Sequence, residues 1–228
     1  TISTVFVLHT AHQADGNRNY KLEDIGRPLP TERQYLGAAF LQHSYGGYIY
    51  AVGGELYSNT APSSGAFTRA VDRMQVADGA GNPLAAPGNW QPVAGLAADD
   101  AGRAIEGYAE FALVADDAAL DGDDRLYLLA GRRRIETSAG SGTYTKDFNT
   151  RVHMFEAPTG SAGAGTWFIK PEAAPYTPRR HPVAGMISGR IYLAGGRTGA
   201  GASAIIEMYQ PDPVGLNPAV SMAGASGF

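Results

Sequence analysis

Tyr48-Ile49-Tyr50-Ala51-Val52-Gly53-Gly54 is an apolar stretch that ends on paired glycines, and the arrangement returns twice. The second copy is Arg125-Leu126-Tyr127-Leu128-Leu129-Ala130-Gly131 and the third is Arg190-Ile191-Tyr192-Leu193-Ala194-Gly195-Gly196. Gly54 and Gly131 are 77 residues apart, and so are Trp90 and Trp167, each 36 residues after its glycine. Another register spaces Tyr20 from Arg33, Trp90 from Arg103 and Trp167 from Arg180 by 13 residues each. Markers that recur together at fixed offsets identify an internal repeat, which must be recognised before the secondary structure is read.

Two more apolar stretches recur around each glycine pair. Tyr35 to Leu41, Tyr108 to Val114 and Pro182 to Ile187 precede it; Ala70 to Val76, Thr150 to Phe155 and Ala204 to Tyr209 follow it. With the Trp-bearing stretch, each unit is four strands joined by Gly-, Asp- and Pro-rich turns, and no segment offers a capped helical period. Four-stranded antiparallel units at this spacing predict an all-β fold, a β-propeller with about three complete blades and parts of another. The blade parts fall at approximately 1–30, 31–95, 103–172 and 180–228 of a single domain. Val5 to Leu8 aligns with the third strand of a blade, so the chain reads as starting midway through one. Asn217 to Phe228 is left for the fourth strand of the last unit or the first strand of a following one, and the resemblance of Met222 to Gly227 to Val183 to Gly189 favours the second. A segment of a six- or seven-bladed ring is the preferred reading. Closure into four blades through the C-terminal strand, or assembly with another copy, are the alternatives.

The strand ending in Gly-Gly, the Tyr two to four residues before it and the Trp beyond a variable loop resemble Kelch repeats. The resemblance runs from about Tyr20 to Tyr209, with Ala130-Gly131 standing in for Gly-Gly in the second copy. Gly53, Gly54, Gly131, Gly195 and Gly196 are expected to take positive φ and to let neighbouring blades approach closely. Trp90 and Trp167 are expected to fill the wedge between blades, and Tyr50, Tyr127 and Tyr192 to pack with their hydroxyls bonded.

The 228 residues contain 30 Gly and 14 Pro, which suits a chain of many turns, and 44% hydrophobic residues supply a sizeable core. No apolar run approaches the roughly 18 residues of a membrane span. With no Cys, disulfides, thiolate metal sites and a copper centre built on a Cys–Tyr crosslink are excluded; the compartment stays open, an extracellular or periplasmic one being favoured. A net charge of −4 argues against nucleic-acid binding. Fifteen of the eighteen cations are Arg, the side chain suited to planar, bidentate recognition of carboxylate or phosphate.

Strand order assigns the turns to two ends of the sheets. Asp78, Asp116, Asp117, Asp121, Asp123 and Asp124 fall at one end, and Arg33, Arg103, Arg132, Arg133, Arg134, Arg179, Arg180 and Arg197 at the other. The second end also carries the long connections, Glu55 to Arg69 and Arg132 to Asn149, and loops on a rigid scaffold are where recognition concentrates. In Kelch propellers that face is commonly the binding face. Arg33, Arg103 and Arg180, with Arg179 and Arg132 to Arg134, are the candidate residues for an acidic ligand: a carboxylate, a sulfated or uronic sugar, or an acidic peptide. The competing expectation is that each Arg satisfies carbonyls of its own blade. Asp116, Asp121 and Asp123 have oxygen density for a cation but not the spacing of a calcium loop, and no metal or other cofactor is expected.

The functional expectation is a binding or scaffold module for a protein partner or acidic ligand. Its rivals are an enzyme on the same fold, carbohydrate-active or a sugar-acid mutarotase, and a structural subunit of an extracellular assembly. The enzyme reading requires an acid or base beside the arginines, for which Glu106, Glu110 and His181 are the candidates.

Overall fold

The computed structural model describes residues 6–12, 18–24, 26–56, 65–116, 124–170, 176–211 and 220–222. All regular structure among them is β. Sheet 1 is formed by Gly37–His43, Gly46–Val52, Val71–Ala77 and Gln91–Pro92. Sheet 2 is formed by Ala112–Asp116, Arg125–Leu129, His153–Glu156 and Thr166–Ile169. Sheet 3 is formed by Val183–Ile187, Arg190–Ala194, Ile206–Tyr209 and Val220–Met222. In each, the strands lie side by side in chain order and every neighbour is antiparallel. Phe6–His12 pairs with Arg18–Asp24 as a separate hairpin. Asp117, Asp121 and Asp123 lie outside the described residues.

Local sequence explains the pairing. Ser188 and Gly189, at φ 50 and 71, form the two-residue loop between Ile187 and Arg190, and positive φ at both positions is the twist-matched hairpin turn. The register sets Ala51 opposite Asp72, Leu128 opposite His153 and Leu193 opposite Glu207. The three sheets therefore share one strand order and one register.

Their faces pack in one direction. Tyr50, Val52 and Val71 of sheet 1 pack on Leu126, Leu128 and Phe155 of sheet 2 in one core. Tyr127, Leu129 and Met154 of sheet 2 pack on Ile191 and Leu193 of sheet 3 in the other. Trp167 lies against Phe155 with ring centroids 5.1 Å apart, filling the edge of the first core, whereas Trp90 donates its indole N–H to the Arg27 carbonyl at 2.9 Å. The first strands of successive sheets lie beside one another, and a Cβ on Gly37 would come within 2.5 Å of the Phe111 ring, so glycine is what admits the close approach. The same side of sheet 3 carries Tyr192 with Val183, Ile187 and Ile206, the last three exposed at 69%, 63% and 47%.

Two expectations need correction. Tyr108 to Val114 is not one strand: the chain turns at Glu110, whose φ is +62, and the residues before it join another sheet. That sheet consists of Asp99–Asp100, Arg103–Ala109, Arg132–Glu136 and Tyr144–Phe148, so most of the stretch 132–149 is a paired hairpin rather than a loop. Of the two places open to the C-terminal stretch, Val220–Met222 takes the fourth strand of sheet 3, pairing with Ile206–Tyr209, and residues 223–227 of the proposed opening strand lie outside the described residues.

Candidate functional site

The first two strands of each sheet bend together at one level. Tyr35, Glu110 and His181, at φ 55, 62 and 51, bend the first strand; Gly53-Gly54, Ala130-Gly131 and Gly195-Gly196, all at positive φ, bend the second. Beyond the bend the strands pair again, as Gln34 with Glu55, Ala109 with Arg132, and Arg180 with Arg197. Left-handed backbone is uncommon outside glycine and costs energy, and such positions concentrate where function requires them. Here the bends also join the sheets. The Glu110 N–H donates to the Tyr35 carbonyl at 3.0 Å, and the His181 N–H donates to the Glu110 carbonyl at 2.7 Å. Gly54 and Gly131 donate in the opposite sense, forward to the carbonyls of Tyr108 and Arg179, at 2.7 and 2.8 Å.

Tyr35, Glu110 and His181 are thereby brought into one line across the three sheets. The Glu110 side chain is buried, at 3% exposure. It accepts a forked pair of bonds from Arg132, of which Nε to Oε2 is 2.7 Å. Arg180 Nη1 stands 3.7 Å and His181 Nε2 3.6 Å from Oε2. The Tyr35 ring meets the His181 ring edge-on at 5.3 Å, and both side chains are about half exposed. Arg197 is exposed and exchanges backbone hydrogen bonds with Arg180 at 2.9 and 2.8 Å. One buried carboxylate is thus ringed by three cationic or basic side chains, with a fourth cation adjoining. A forked Arg–carboxylate pair is among the more strongly oriented polar contacts, so Glu110 fixes Arg132 and leaves Arg180, Arg197 and His181 partly open to solvent.

The other sequence candidates are distributed differently. Arg33 and Arg179 do not face the site: both are fully buried, Arg33 against Asp72 and Arg179 against Glu207 at 2.6 Å. Each also donates to carbonyls of its own sheet, Arg33 to Ala70 at 3.0 Å and Arg179 to Leu193 at 3.1 Å. The equivalent pair in sheet 2 is Tyr108 and His153, whose rings meet edge-on at 4.7 Å. Burial, with the Arg133 charge, pushes the His153 imidazole down to about 3, so it is neutral. Arg33, Tyr108 and Arg179 are therefore the equivalent positions; the 13-residue spacing that groups Arg33, Arg103 and Arg180 is not the structural repeat. Arg103 stands at the far end of its strand, beside Asp100. Arg133 pairs with Asp100 and Arg134 with Glu106 at 2.6 Å, so alternate side chains of Arg132–Glu136 face opposite ways. Glu106 also accepts from the Phe67 N–H at 3.0 Å and borders a groove of about 340 Å³. Most of the arginines at this end are thus neutralised internally, and the charge left over gathers at Glu110.

Sequence reasoning named Glu110, His181, Arg132 and Arg180 but not Tyr35. Its signal is weak: from the bend residue to the glycine position is 18 residues in unit 1, 20 in unit 2 and 14 in unit 3, because the first turn differs in length. Asp116 lies partly buried at the opposite end of sheet 2. Among the described residues no group of three His, Asp or Glu is arranged to hold a metal ion, and no helix is long and apolar enough to cross a membrane.

No protein-family model and no curated protein matches this sequence. Among solved structures the chain is similar to that of YjhT, with a TM-score of 0.53 and 14% sequence identity, over 96% of this chain and 52% of that one. At that identity the likeness concerns the fold alone, and this chain spans about half the length of the YjhT chain.

Proposed function

We propose that the three sheets are successive blades of a Kelch-type β-propeller and that the protein is a binding module for an acidic ligand, held at the bent end around Glu110. The observation that carries this reading is the convergence of Arg132, Arg180 and His181 on one buried carboxylate, with Arg197 adjoining. Glu110 balances a single guanidinium, so the cluster keeps positive charge in a protein whose net charge is −4. The half-exposed Tyr35 ring adds an apolar surface beside these cations, a combination that suits a uronic or otherwise acidic sugar, or an acidic side chain of a partner protein. The order of the sheets and the one-directional packing of their faces support the propeller. The exposed Val183, Ile187 and Ile206 mark where a further blade, from the same polypeptide or from another copy, would pack.

An acidic-glycan array run beside an acidic-peptide array tests the reading. Binding that Arg180→Ala reduces at least about tenfold is expected; no binding on either array overturns it and leaves a structural role. An enzyme acting on an acid sugar is the second reading, favoured by the 3.6 Å approach of His181 to Glu110, which places a titratable base and a carboxylate side by side and needs only a small side-chain movement to reach proton-transfer distance. Turnover of an acid sugar followed by proton NMR, abolished by Glu110→Gln, would establish it; an unchanged spectrum excludes it for that sugar.

A further inference from the structure

We infer, resting on the reading above, that the ligand of the Glu110 cluster carries two negative charges and that Arg197, together with Arg180, is the clamp that selects for the second. Arg132 presents its Nε/Nη2 edge to both carboxylate oxygens of Glu110, so the charges of these two side chains cancel. Arg180 is 3.7 Å from Glu110, beyond hydrogen-bond reach, and 29% of its side chain is exposed. Arg197 is exposed, and no carboxylate among the described residues lies within ion-pair distance of it. The two arginines exchange backbone N–H to C=O bonds in both directions, which makes them a directly opposed antiparallel pair. In such a pair the Cα atoms are about 5.5 Å apart and the side chains leave the same face. Like charges set directly opposite destabilise a ladder, and no described acid separates these. Two guanidiniums rising from one cross-strand pair, with His181 next in the chain, leave a local charge of two. A monoanion neutralises half of it; a dianion accepts charge-assisted bonds from both arginines and neutralises all of it. Two chemistries supply that charge, one doubly charged oxyanion or two carboxylates on one molecule.

Calorimetric titration of the chain at low ionic strength with acetate, inorganic sulfate and succinate tests the inference. Sulfate or succinate, or both, are expected to bind at least about tenfold more tightly than acetate; sulfate alone identifies a single oxyanion and succinate alone a diacid. Arg197→Ala is expected to bring the dianion to the level of acetate while leaving acetate within about twofold. Arg197→Lys is expected to recover part of the loss. Arg190→Ala, an exposed cation elsewhere on sheet 3, is expected to change nothing. Acetate binding as tightly as both dianions, or an Arg197→Ala variant indistinguishable from the parent, overturns the clamp. Failure of all three probes with a positive acidic-ligand array also overturns the clamp and leaves the broader reading standing. Failure of both removes both.

Discussion

At Glu110 a single backbone angle does two things. Its φ of +62 ends one strand and starts another, and it points a carboxylate into a cage of bases. The positions equivalent to it, Tyr35 and His181, share the angle but no side-chain chemistry, which is why a search for recurring residue types passes over them. The glycines opposite were legible because close packing admits few substitutes there. Gly107 is under a similar constraint, since a Cβ would meet the backbone of Phe67 and Thr68 at 2.3 to 2.5 Å. Gly107→Ala is expected to lower stability by about 1–3 kcal/mol, whereas Gly199→Ala, with nothing within 4 Å, should be neutral in the same urea titration. His153 gives a prediction of pH dependence. Its folded pKa of about 3 lies below the unfolded value of 6.5, so the unfolded chain binds the extra proton between them. Its contribution to stability is complete above pH 6.5 and falls as pH drops toward 3, by about 1.4 kcal/mol per unit. Urea midpoints of His153→Gln are expected to lose this slope between pH 6.5 and 4.5; a slope equal to that of the parent would refute the assignment.

The elements divide into those that hydrophobic patterning reveals and one that it hides. The inner strands of sheets 1 to 3 follow apolar runs and turn residues, which is why the sequence locates them, whereas the break at Glu110 inside Tyr108 to Val114 has no hydrophobic signature. The hairpin Arg132–Glu136 with Tyr144–Phe148 escaped because its strands are charged and its tip is rich in Ser, Gly and Thr. What stabilises it is distant in sequence: Arg133 pairs with Asp100, Arg134 with Glu106, and Lys146 with Glu55 at 3.0 Å. Glu136 secures the tip by accepting from the N–H groups of Gly140 and Gly142, each at 3.0 Å, and from Ala104 at 3.2 Å. Those bonds hold its carboxyl below the ordinary carboxylate range. Glu136→Gln should therefore accelerate amide exchange at Gly140 and Gly142 with little change in global stability. Protection equal to that of the parent would show that the tip does not depend on the carboxylate.

At the scale of the molecule, packing runs from the Tyr-bearing face of one sheet to the Leu-bearing face of the next, and on sheet 3 the Tyr-bearing face is left with Val183 and Ile187 largely exposed. A sheet face of this kind favours association. Sedimentation should show concentration-dependent self-association of the chain that Ile187→Lys weakens; a parent that stays monomeric throughout would argue that the face needs no cover. The charge asymmetry inferred from the order of turns also acquires a different meaning at this scale. Most of the arginines at the bent end are paired with local acids, and the group around Glu110 keeps charge to offer. The most direct test of that claim is a glucuronate titration followed by NMR of arginine Nε–H and histidine ring signals. Arg180 and His181 are expected to shift together and saturate while the buried, paired Arg33 and Arg179 stay still. Shifts confined to other arginines, or none in the cluster up to saturating glucuronate, would contradict the account.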